Sequence, residues 1–581
     1  MVVNVTVSDK SKLERLRPYQ ERRFVPKSAD LSKPEQITAL YTQLLHRELN
    51  TREELERWIL DRSELESAAD QQGAILYILM TCQTDDRQRA QDYKNFIETI
   101  VPAVKSLEDG LNRKYLAAAG RIGTNENRYG VYSREIRSDI ELFQEENIAL
   151  ETKVDLLSQE YQTICGAMTV EFDGREQTLP QMHKYLLDPN RPLREEAWRA
   201  STQRRLRDSS KLDDLFDDML ALRHQIAKNA GMDNFCDYKF KSLHRFDYLP
   251  QDCFEYHRTV ERVVVPLWCQ VLERRREAMK LKSLRPWDTS VDPLGRAPLK
   301  PFEQVGQLIE GCREIFHTVN ATLGAQFAQM IENGLLDLAS RKGKAPGGYQ
   351  STLDEARKPF IFMNATGIDS DVRTLLHECG HAFHALACAP DPLLDYRHGP
   401  MEFNEVASMG MELLTDRYLS VFYQRDDEQR SRQKHFEDVL FTLVWVATID
   451  AFQHGIYQNP RQDRHQRCAM WLDIRKRFGA GVVDWTGLEE EHARLWHQQL
   501  HIYEVPFYYI EYGIAQLGAL QLWLNSQKDW DRTLEQYQTA LRLGGSRPLP
   551  ELFTTAGIRF DFSEKTIVPL MDAVTKELKL T

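Results

Sequence analysis

One stretch decides the fold and the chemistry: Asp369-Ser370-Asp371-Val372-Arg373-Thr374-Leu375-Leu376-His377-Glu378-Cys379-Gly380-His381-Ala382-Phe383-His384-Ala385-Leu386-Ala387. Acidic and serine residues open it, apolar residues recur at helical spacing and a proline follows, which predicts a single helix. His377 and His381 are four residues apart, so their imidazoles share a face and can bind one metal ion. Glu378 lies beside them and can accept a proton from a metal-bound water. The stretch therefore predicts the His-Glu-x-x-His zinc site of hydrolases.

Two other residues of this helix carry expectations. His384 shares the histidine face, but it lies about 10 Å along the axis from His377, too far for both to bind one ion. We interpret it as a wall or supporting residue. Gly380 costs a helix about 1 kcal/mol relative to alanine, so we expect another element to pack close to the backbone there.

A catalytic zinc normally has three protein ligands, so a third must come from elsewhere. The candidates are Glu402, Glu405 and Glu412, in a predicted helix over residues 402–414 that Asn404 could cap. Glu405 and Glu412 are seven residues apart and share a helical face. Because a loop separates the two helices, spacing alone leaves this choice open.

Composition excludes several classes of protein. The 581 residues are 42% hydrophobic, which is enough for a large core, and 75 Lys+Arg against 87 Asp+Glu give a net charge of −12. This balance argues against a general nucleic-acid binder. No uncharged apolar run approaches the roughly 18 residues that a membrane span needs, so we expect no membrane partner.

Cysteine usage indicates the compartment. The nine cysteines are odd in number, scattered and free of Cys-x-x-Cys pairs, which is typical of a reducing compartment. The first 26 residues have no apolar run of an export signal. We therefore expect a cytoplasmic protein with free thiols.

The remaining pattern is mostly helical, with apolar residues three or four apart. Residues 34–116 predict several long helices, including residues 52–65 with a buried stripe of four apolar side chains. Residues 170–179 alternate around Asp173-Gly174 and predict a hairpin. We place a soft boundary near residue 200, which gives a helical domain over 1–200 and a catalytic domain over 201–581. The buried stripe predicted within residues 52–65 consists of Leu55, Trp58, Ile59 and Leu65.

The chain resembles the thimet-oligopeptidase/oligoendopeptidase F family of zinc metallopeptidases, and within that family it is most similar to the oligoendopeptidase branch. The family pattern His-Glu-x-Gly-His with a further histidine matches residues 377–384, and its Glu-x-x-Ser motif matches Glu405 to Ser408. By that match Glu405 is the third zinc ligand. The resemblance continues through residues 334–338 and 341–364, and covers most of residues 200–581. It implies a mostly α fold of two helical halves around a deep substrate channel, with a small β-sheet beside the zinc-binding helix.

The resemblance also implies a substrate-binding strand. Residues 360–364 are a short apolar run and predict a strand, and an exposed strand edge could bind an extended peptide through main-chain hydrogen bonds. An ordinary buried strand is about as consistent with these residues. Residues 343–349 lack the spacing of a phosphate-binding loop, so we reject nucleotide binding and expect a flexible loop over the cleft. The predicted substrate-binding residues are Gly347, Gly348, Tyr349, Phe360, Phe362 and Asn364.

A third cluster has one histidine and four tyrosines within residues 501–512. Such enrichment usually indicates core, but peptide hydrolysis also needs donors for the developing oxyanion. The family pattern His-x6-Tyr matches His501 and Tyr508, and the following tyrosine falls on Tyr512. These three residues are the predicted oxyanion donors, and Tyr503 and Tyr509 are weaker candidates.

The sequence as a whole predicts a zinc endopeptidase that hydrolyses internal bonds of short unfolded oligopeptides. Zn2+ is held by His377, His381 and Glu405, and Glu378 is the general base and acid. Two alternatives stay open: a zinc exopeptidase of the peptidyl-dipeptidase type, and an inactive helical peptide-binding protein. The sequence does not define an oligomeric state.

Overall fold

A computed structural model describes residues 13, 15–341, 343–345 and 347–580. Helices predominate across them, with two small sheets, which confirms the mostly α prediction. Their contacts form two compact units, each assembled from three segments of the chain. Unit 1 contains the residues up to Phe143, Lys300–Glu428 and Gly518–Phe560, and unit 2 contains Gln144–Leu299, Gln429–Leu517 and the residues from Asp561 onward.

The helices follow one another in two sets, one in each half of the chain. Those of the first half of the chain are Pro34–His46, Arg52–Cys82, Arg87–Asn95, Val101–Ile122, Glu126–Leu142, Glu145–Gly166, Leu179–Leu186, Arg191–Arg207, Ser209–Asn229, Phe235–Ser242, Pro250–Thr259 and Val265–Ala278. Those of the second half are Val305–Val319, Ala321–Glu332, Asp369–Cys388, Leu394–Arg397, Met401–Thr415, Arg425–Gln458, Arg464–Phe478, Glu489–Ala493, Leu500–Glu504, Ile510–Lys528, Trp530–Leu541, Leu549–Thr555 and Glu564–Leu578. Short π-helical turns are Phe96–Ile100 and Val260–Val264, and short 3₁₀ turns are Pro286–Asp288, Asp416–Val421 and Leu495–Gln498.

The compact units divide the chain differently from the predicted boundary. Residue 200 lies inside the helix Arg191–Arg207, and each unit combines segments that are far apart in sequence. Because helices pack with partners from distant segments, a cut at one position does not separate the units.

The helix Arg52–Cys82 shows how local signals produce the fold. Thr51 and Glu54 form a capping box that satisfies backbone N–H groups at its start. The predicted stripe faces the core, with Leu55 1% and Trp58 0% exposed, so this prediction is confirmed. The helix continues well past residue 65, because no helix-breaking residue interrupts it before Cys82.

The helix Arg425–Gln458 is long and apolar enough to cross a membrane, by length and composition alone. However, 72% of its most apolar stretch is buried inside the fold. This burial is typical of a core helix, whose apolar surface is covered by protein rather than by lipid.

The first sheet is the predicted hairpin. Strands β1 (Thr169–Phe172) and β2 (Arg175–Thr178) pair antiparallel, with Thr169 opposite Thr178. Asp173 and Gly174 form the two-residue turn, and both have positive φ, at 54° and 71°. This is the conformation that an Asp-Gly turn favours between twisted strands.

The second sheet lies in unit 1 and contains β3 (Leu336–Ala339), β4 (Tyr349–Leu353) and β5 (Lys358–Ala365) in the order β3-β5-β4. The strand predicted over residues 360–364 is therefore confirmed as part of β5, and of its two interpretations the structure shows the buried strand and not the exposed edge. Strand β5 pairs with β3 on one side and β4 on the other. Phe360 and Phe362 are 0% exposed, so this apolar run belongs to the core, and an edge of the sheet lies at β4.

Candidate metal centre

The motif helix, Asp369–Cys388, begins at a backbone cap. The Asp371 carboxylate accepts hydrogen bonds from the backbone N–H groups of Thr366, Gly367 and Ile368, at 2.7, 2.8 and 3.0 Å. These groups have no partner within the helix itself, so the cap defines where the helix starts. The single helix predicted from the sequence is confirmed.

The glutamate helix, Met401–Thr415, packs directly on the motif helix. A Cβ added at Gly380 would lie 2.6 Å from the carbonyl oxygen of Ala407 and the Cα of Ser408, which confirms the expected close backbone approach. The prediction that Asn404 caps this helix is wrong. Asn404 lies within it, and its amide donates back to the carbonyl of Gly399 at 3.0 Å.

Three side chains from these two helices converge. The Nε2 atoms of His377 and His381 lie 3.4 and 3.6 Å from the same oxygen, Oε2 of Glu405. One ligand atom from each of the three residues lies within 4.8 Å of the others. Among the three candidate glutamates, the geometry thus favours Glu405 as the partner of both histidines.

Further contacts orient these side chains. Glu412 lies on the opposite side of the His377 ring, with its Oε1 2.7 Å from Nδ1, and His381 has a hydrogen bond with the backbone of Asn404. The hydroxyl of Ser408 donates to Oε2 of Glu405 at 3.0 Å. Partners of this kind hold metal-binding imidazoles and carboxylates in place, and both predicted same-face glutamates contact His377.

The remaining candidates of this region lie outside the cluster of three. His384 is 4% exposed, with its ring 6.1 Å from that of Phe403, which agrees with a supporting role. Burial lowers its pKa to about 3, so the ring is neutral. Glu402 is buried in the first turn of the glutamate helix.

Glu378 is the acidic side chain next to this cluster. It is 7% exposed, and burial raises its pKa to about 7, against the lowering effect of His377. The backbone N–H of Gln350 on β4 donates to it. A carboxylate with a pKa near neutrality can both take up and release a proton at physiological pH.

The donor set fits a zinc ion. Ligand atoms about 2.1 Å from a tetrahedral ion are separated by about 3.4 Å, and the Nε2 to Oε2 separations are 3.4 and 3.6 Å. Burial lowers the pKa of His381 to about 4, which keeps this imidazole neutral, whereas the carboxylates of Glu405 and Glu412 raise the pKa of His377 against the effect of burial. A metal ligand must be unprotonated, so an ion would replace a proton at His377. The side chains of His377 and His381 keep 22% and 17% exposure, which leaves access for a substrate.

The predicted substrate-binding residues separate into two groups. Phe360 and Phe362 are fully buried. Gly347 and Gly348 are exposed, in the loop that leads into β4. Asn364 fixes this loop, because its amide donates to the carbonyl of Gly347 at 3.0 Å.

Tyr349 opens the edge strand β4 and anchors it. Its ring stacks on Phe362 with centroids 4.8 Å apart and planes 10° apart. Its hydroxyl lies 2.6 Å from Oγ1 of Thr81. Tyr349 is therefore held by two neighbours and cannot move freely with the loop.

The predicted oxyanion donors form one aromatic cluster in unit 2. The ring of His501 lies 6.0 Å from Tyr508 and 5.8 Å from Tyr512, and the two tyrosine rings are 5.4 Å apart. Tyr503 is instead 0% exposed and stacks 4.1 Å from Tyr161. Tyr503 is therefore a residue of the core and not an exposed donor.

The hydrogen-bond network assigns the tautomer of His501. The indole N–H of Trp445 can only donate, and it donates to Oε1 of Gln499 at 2.9 Å. The amide nitrogen of Gln499 therefore faces Nδ1 of His501, at 2.8 Å, and donates to it. In the neutral ring the proton then lies on Nε2, so His501 presents a donor, as oxyanion stabilisation requires. Gln499 and Trp445 do not belong to the His-x6-Tyr pattern, so the sequence alone does not single them out.

The turn before Tyr508 is strained. Phe507 has a φ of +65°, which a bulky residue rarely adopts. Its N–H donates to Oε1 of Gln453 at 2.7 Å, and its carbonyl accepts from Arg245 at 2.6 Å. Arg245 also pairs with Glu511 at 2.6 Å, both side chains being 1% exposed. Such strain persists only where the surroundings hold it, and it is common at functional sites.

Comparison with known proteins identifies the family. The model of peptidase family M3 matches residues 184–568, more than half of the chain. The chain belongs to peptidase family M3. This confirms the resemblance stated from the sequence.

Curated relatives of the chain include two peptidases of the oligoendopeptidase F type. Oligopeptidase PepF of Bacillus subtilis (strain 168) is 25% identical over 248 residues, and the match covers 41% of this chain but only 36% of that protein. The oligoendopeptidase F homolog of Borreliella burgdorferi is 22% identical over 425 residues, 68% of each protein. Among solved structures, that of PZ peptidase A with an inhibitor superimposes with a TM-score of 0.89 at 26% identity, and the match covers 98% of this chain and 99% of that one.

Proposed function

We propose that this protein is a zinc-dependent endopeptidase that hydrolyses internal bonds of short unfolded oligopeptides. The supporting observation is the convergence of His377, His381 and Glu405 beside Glu378, in a chain that belongs to family M3. The three proposed metal ligands and the general base all come from two packed helices. An inactive binding protein would have no need of this constellation.

His377, His381 and Glu405 would hold the ion, which would supply Lewis acidity at the reacting carbonyl. Glu378 takes a proton from the attacking water and returns it to the leaving amine. Glu412 contacts Nδ1 of His377, the ring nitrogen away from the ion, and Ser408 donates to Oε2 of Glu405, so both keep the proposed ligands oriented.

His501 and Tyr508 stabilise the tetrahedral oxyanion in this proposal, with Tyr512 as a second tyrosine. The Nε2–H tautomer of His501 and the strained turn before Tyr508 support their role as fixed donors. Preorganised donors need no reorientation during the reaction.

The substrate peptide lies along β4 in this proposal. As an edge strand, β4 has a neighbouring strand on one side only, and Gln350 on this strand contacts Glu378. Main-chain pairing here would align the scissile bond with the general base while reading little sequence. Gly347, Gly348 and Tyr349 contribute the loop at the start of β4, and Asn364 supports it.

A deep channel between two helical halves stays a prediction, and so does the cytoplasmic location. All nine cysteines fall in the part of the chain that the structure describes, and all are free thiols, as expected in a reducing compartment. Oligopeptides are the proposed partners.

Product analysis on a peptide blocked at both termini tests this proposal. The zinc-loaded protein should cut it at internal bonds, a chelator should stop cleavage, and added zinc should restore it. Release of dipeptides only from unblocked ends would favour the exopeptidase alternative. Binding of the peptide without cleavage would favour the inactive binding protein.

A further inference from the structure

A second cluster of metal-binding side chains lies in unit 2. Cys253, Asp450 and His454 each offer one ligand atom, and these atoms lie within 4.8 Å of one another. Cys253 and Asp450 are 0% exposed and His454 is 2% exposed. None of the three has a role in the proposed peptide hydrolysis, so the cluster requires its own explanation.

Two helices build this cluster from matched pairs. The helix Pro250–Thr259 presents Cys253 and His257, four residues apart, and the helix Arg425–Gln458 presents Asp450 and His454, also four residues apart. Residues with this spacing share a helical face. Each helix therefore turns one pair toward the same buried position.

Hydrogen bonds leave two atoms of the cluster without a partner. Nε2 of His257 lies 2.8 Å from Oδ2 of Asp450, and Nδ1 of His454 lies 3.6 Å from Sγ of Cys236. Oδ1 of Asp450 and Nε2 of His454 have no hydrogen bond. Buried polar atoms without partners are costly, and a cation held by both would satisfy them.

The charges also match a divalent cation. Nε2 of His454 lies 3.4 Å from Oδ2 of Asp450, so this imidazole and this carboxylate lie next to each other. A carboxylate and a thiolate together carry two negative charges, so a divalent ion leaves the buried site neutral. Neutrality matters because an unbalanced charge in the interior is very unfavourable.

We propose that Cys253, Asp450 and His454 form a second, closed site for a divalent cation of the zinc class. A mixed sulfur, nitrogen and oxygen donor set suits zinc rather than magnesium or calcium. His257 holds the carboxylate, and Cys236 contacts the other nitrogen of His454. This inference does not depend on the proposed peptidase activity.

The surroundings of His454 indicate a supporting role. Its ring lies 4.8 Å from that of Phe254 and 5.1 Å from that of Phe507. Gln453, the preceding residue, accepts from the N–H of Phe507. A cation bound here would hold in place the part of the helix Arg425–Gln458 that contacts the strained turn before Tyr508.

Binding requires a proton to leave. The thiol of Cys253 has to lose its proton to bind the ion as a thiolate. The ion replaces this proton, which passes to solvent while the sulfur–metal bond forms. Because the site is closed, entry requires folding or local opening of the two helices.

A full-length His377→Ala/His381→Ala variant isolates the second site. After loading with Zn2+ and dialysis we expect one zinc per chain, and X-ray absorption should show one sulfur ligand at about 2.3 Å. The His377, His381 and Glu405 site contains no sulfur, so this bond reports only the second site. If the variant retains no zinc, or retains zinc that has no sulfur ligand, the proposal is wrong. This test leaves the residues of the second cluster unchanged.

Cobalt loading of the same variant provides the matched controls. A thiolate-to-cobalt charge-transfer band should appear, disappear with a further Cys253→Ser change, and persist with Cys312→Ser, which alters another buried thiol outside the cluster. Persistence of the band in the folded Cys253→Ser protein would contradict the assignment. If Cys253→Ser does not fold, the sulfur distance in the parent variant decides.

Discussion

The two candidate metal clusters, one without and one with a cysteine, have the same helical geometry in different surroundings. His377 and His381 keep 22% and 17% of their side-chain surface exposed, whereas Cys253 and His454 are 0% and 2% exposed. Each cluster combines a pair four residues apart on one helix with a third residue from another helix. The difference in exposure, and the thiol in the second cluster, agree with the two proposed roles, a site that meets a substrate and a site that supports the fold.

The spacing of the ligands alone therefore does not define the role of a metal site. An open metal site needs a general base beside it, and Glu378 occupies that position next to His377 and His381. At the second cluster the acidic residue Asp450 is itself a proposed ligand and is held by His257. Both clusters include a carboxylate as a proposed ligand, so the additional carboxylate beside the ligands, Glu378, is what distinguishes the proposed catalytic site.

The largest expected effect concerns the third ligand of the open cluster. Glu405→Ala should lose zinc on dialysis, because one of three ligands is removed. Glu412→Ala should lower zinc affinity by only about 10–100-fold, as typical for a residue that orients a ligand. Metal analysis and competition with a chelator measure both, and the opposite order would assign the ligand role to Glu412.

The next effect tests the oxyanion donors. Tyr508→Phe removes one hydroxyl and should lower kcat by about 10²–10³, roughly 2.7–4 kcal/mol, with little change in KM or zinc content. Tyr503→Phe is the matched control, because Tyr503 is buried in the core and should leave kcat within a few-fold. Steady-state kinetics on one quenched fluorescent peptide compare the two variants. Equal, small effects on kcat would indicate that Tyr508 is a core residue.

The smallest effect concerns the packing that brings Glu405 to the histidines. Gly380→Ala places a Cβ against the backbone of the glutamate helix, and such overpacking typically costs about 1–3 kcal/mol. Gly120→Ala is the control, because nothing lies within 4 Å of its added Cβ and it should be neutral or stabilising by about 0.5–1 kcal/mol. Denaturant unfolding measures both, and equal stabilities would contradict the close approach.

The sequence predicts the helical fold and the His-Glu-x-x-His helix because both depend on local spacing. It could not choose Glu405 from residues alone, since a loop of undefined path separates the two helices, and only the resemblance favoured it. It also left open whether residues 360–364 form a peptide-binding edge or a buried strand, because an apolar run does not encode the order of strands. That order makes β5 the middle strand and β4 an edge.

The second cluster was missed for a related reason. Cys253 and Asp450 lie almost two hundred residues apart, and only the packing of their helices brings them together. The available signals were Cys-x-x-x-His at Cys253 and His257 and Asp-x-x-x-His at Asp450 and His454. Each pattern is short enough to recur by chance, so only their coincidence in space is informative.

Turnover by Glu378→Gln, measured at zinc content equal to that of the parent protein, tests the central claim most directly. The amide cannot accept a proton, while His377, His381 and Glu405 are unchanged, so zinc should stay bound. We expect the rate of peptide cleavage to fall by at least about 10²–10⁴, the range that general acid–base catalysis contributes. A zinc-loaded Glu378→Gln protein that cleaves at nearly the parental rate would contradict the account.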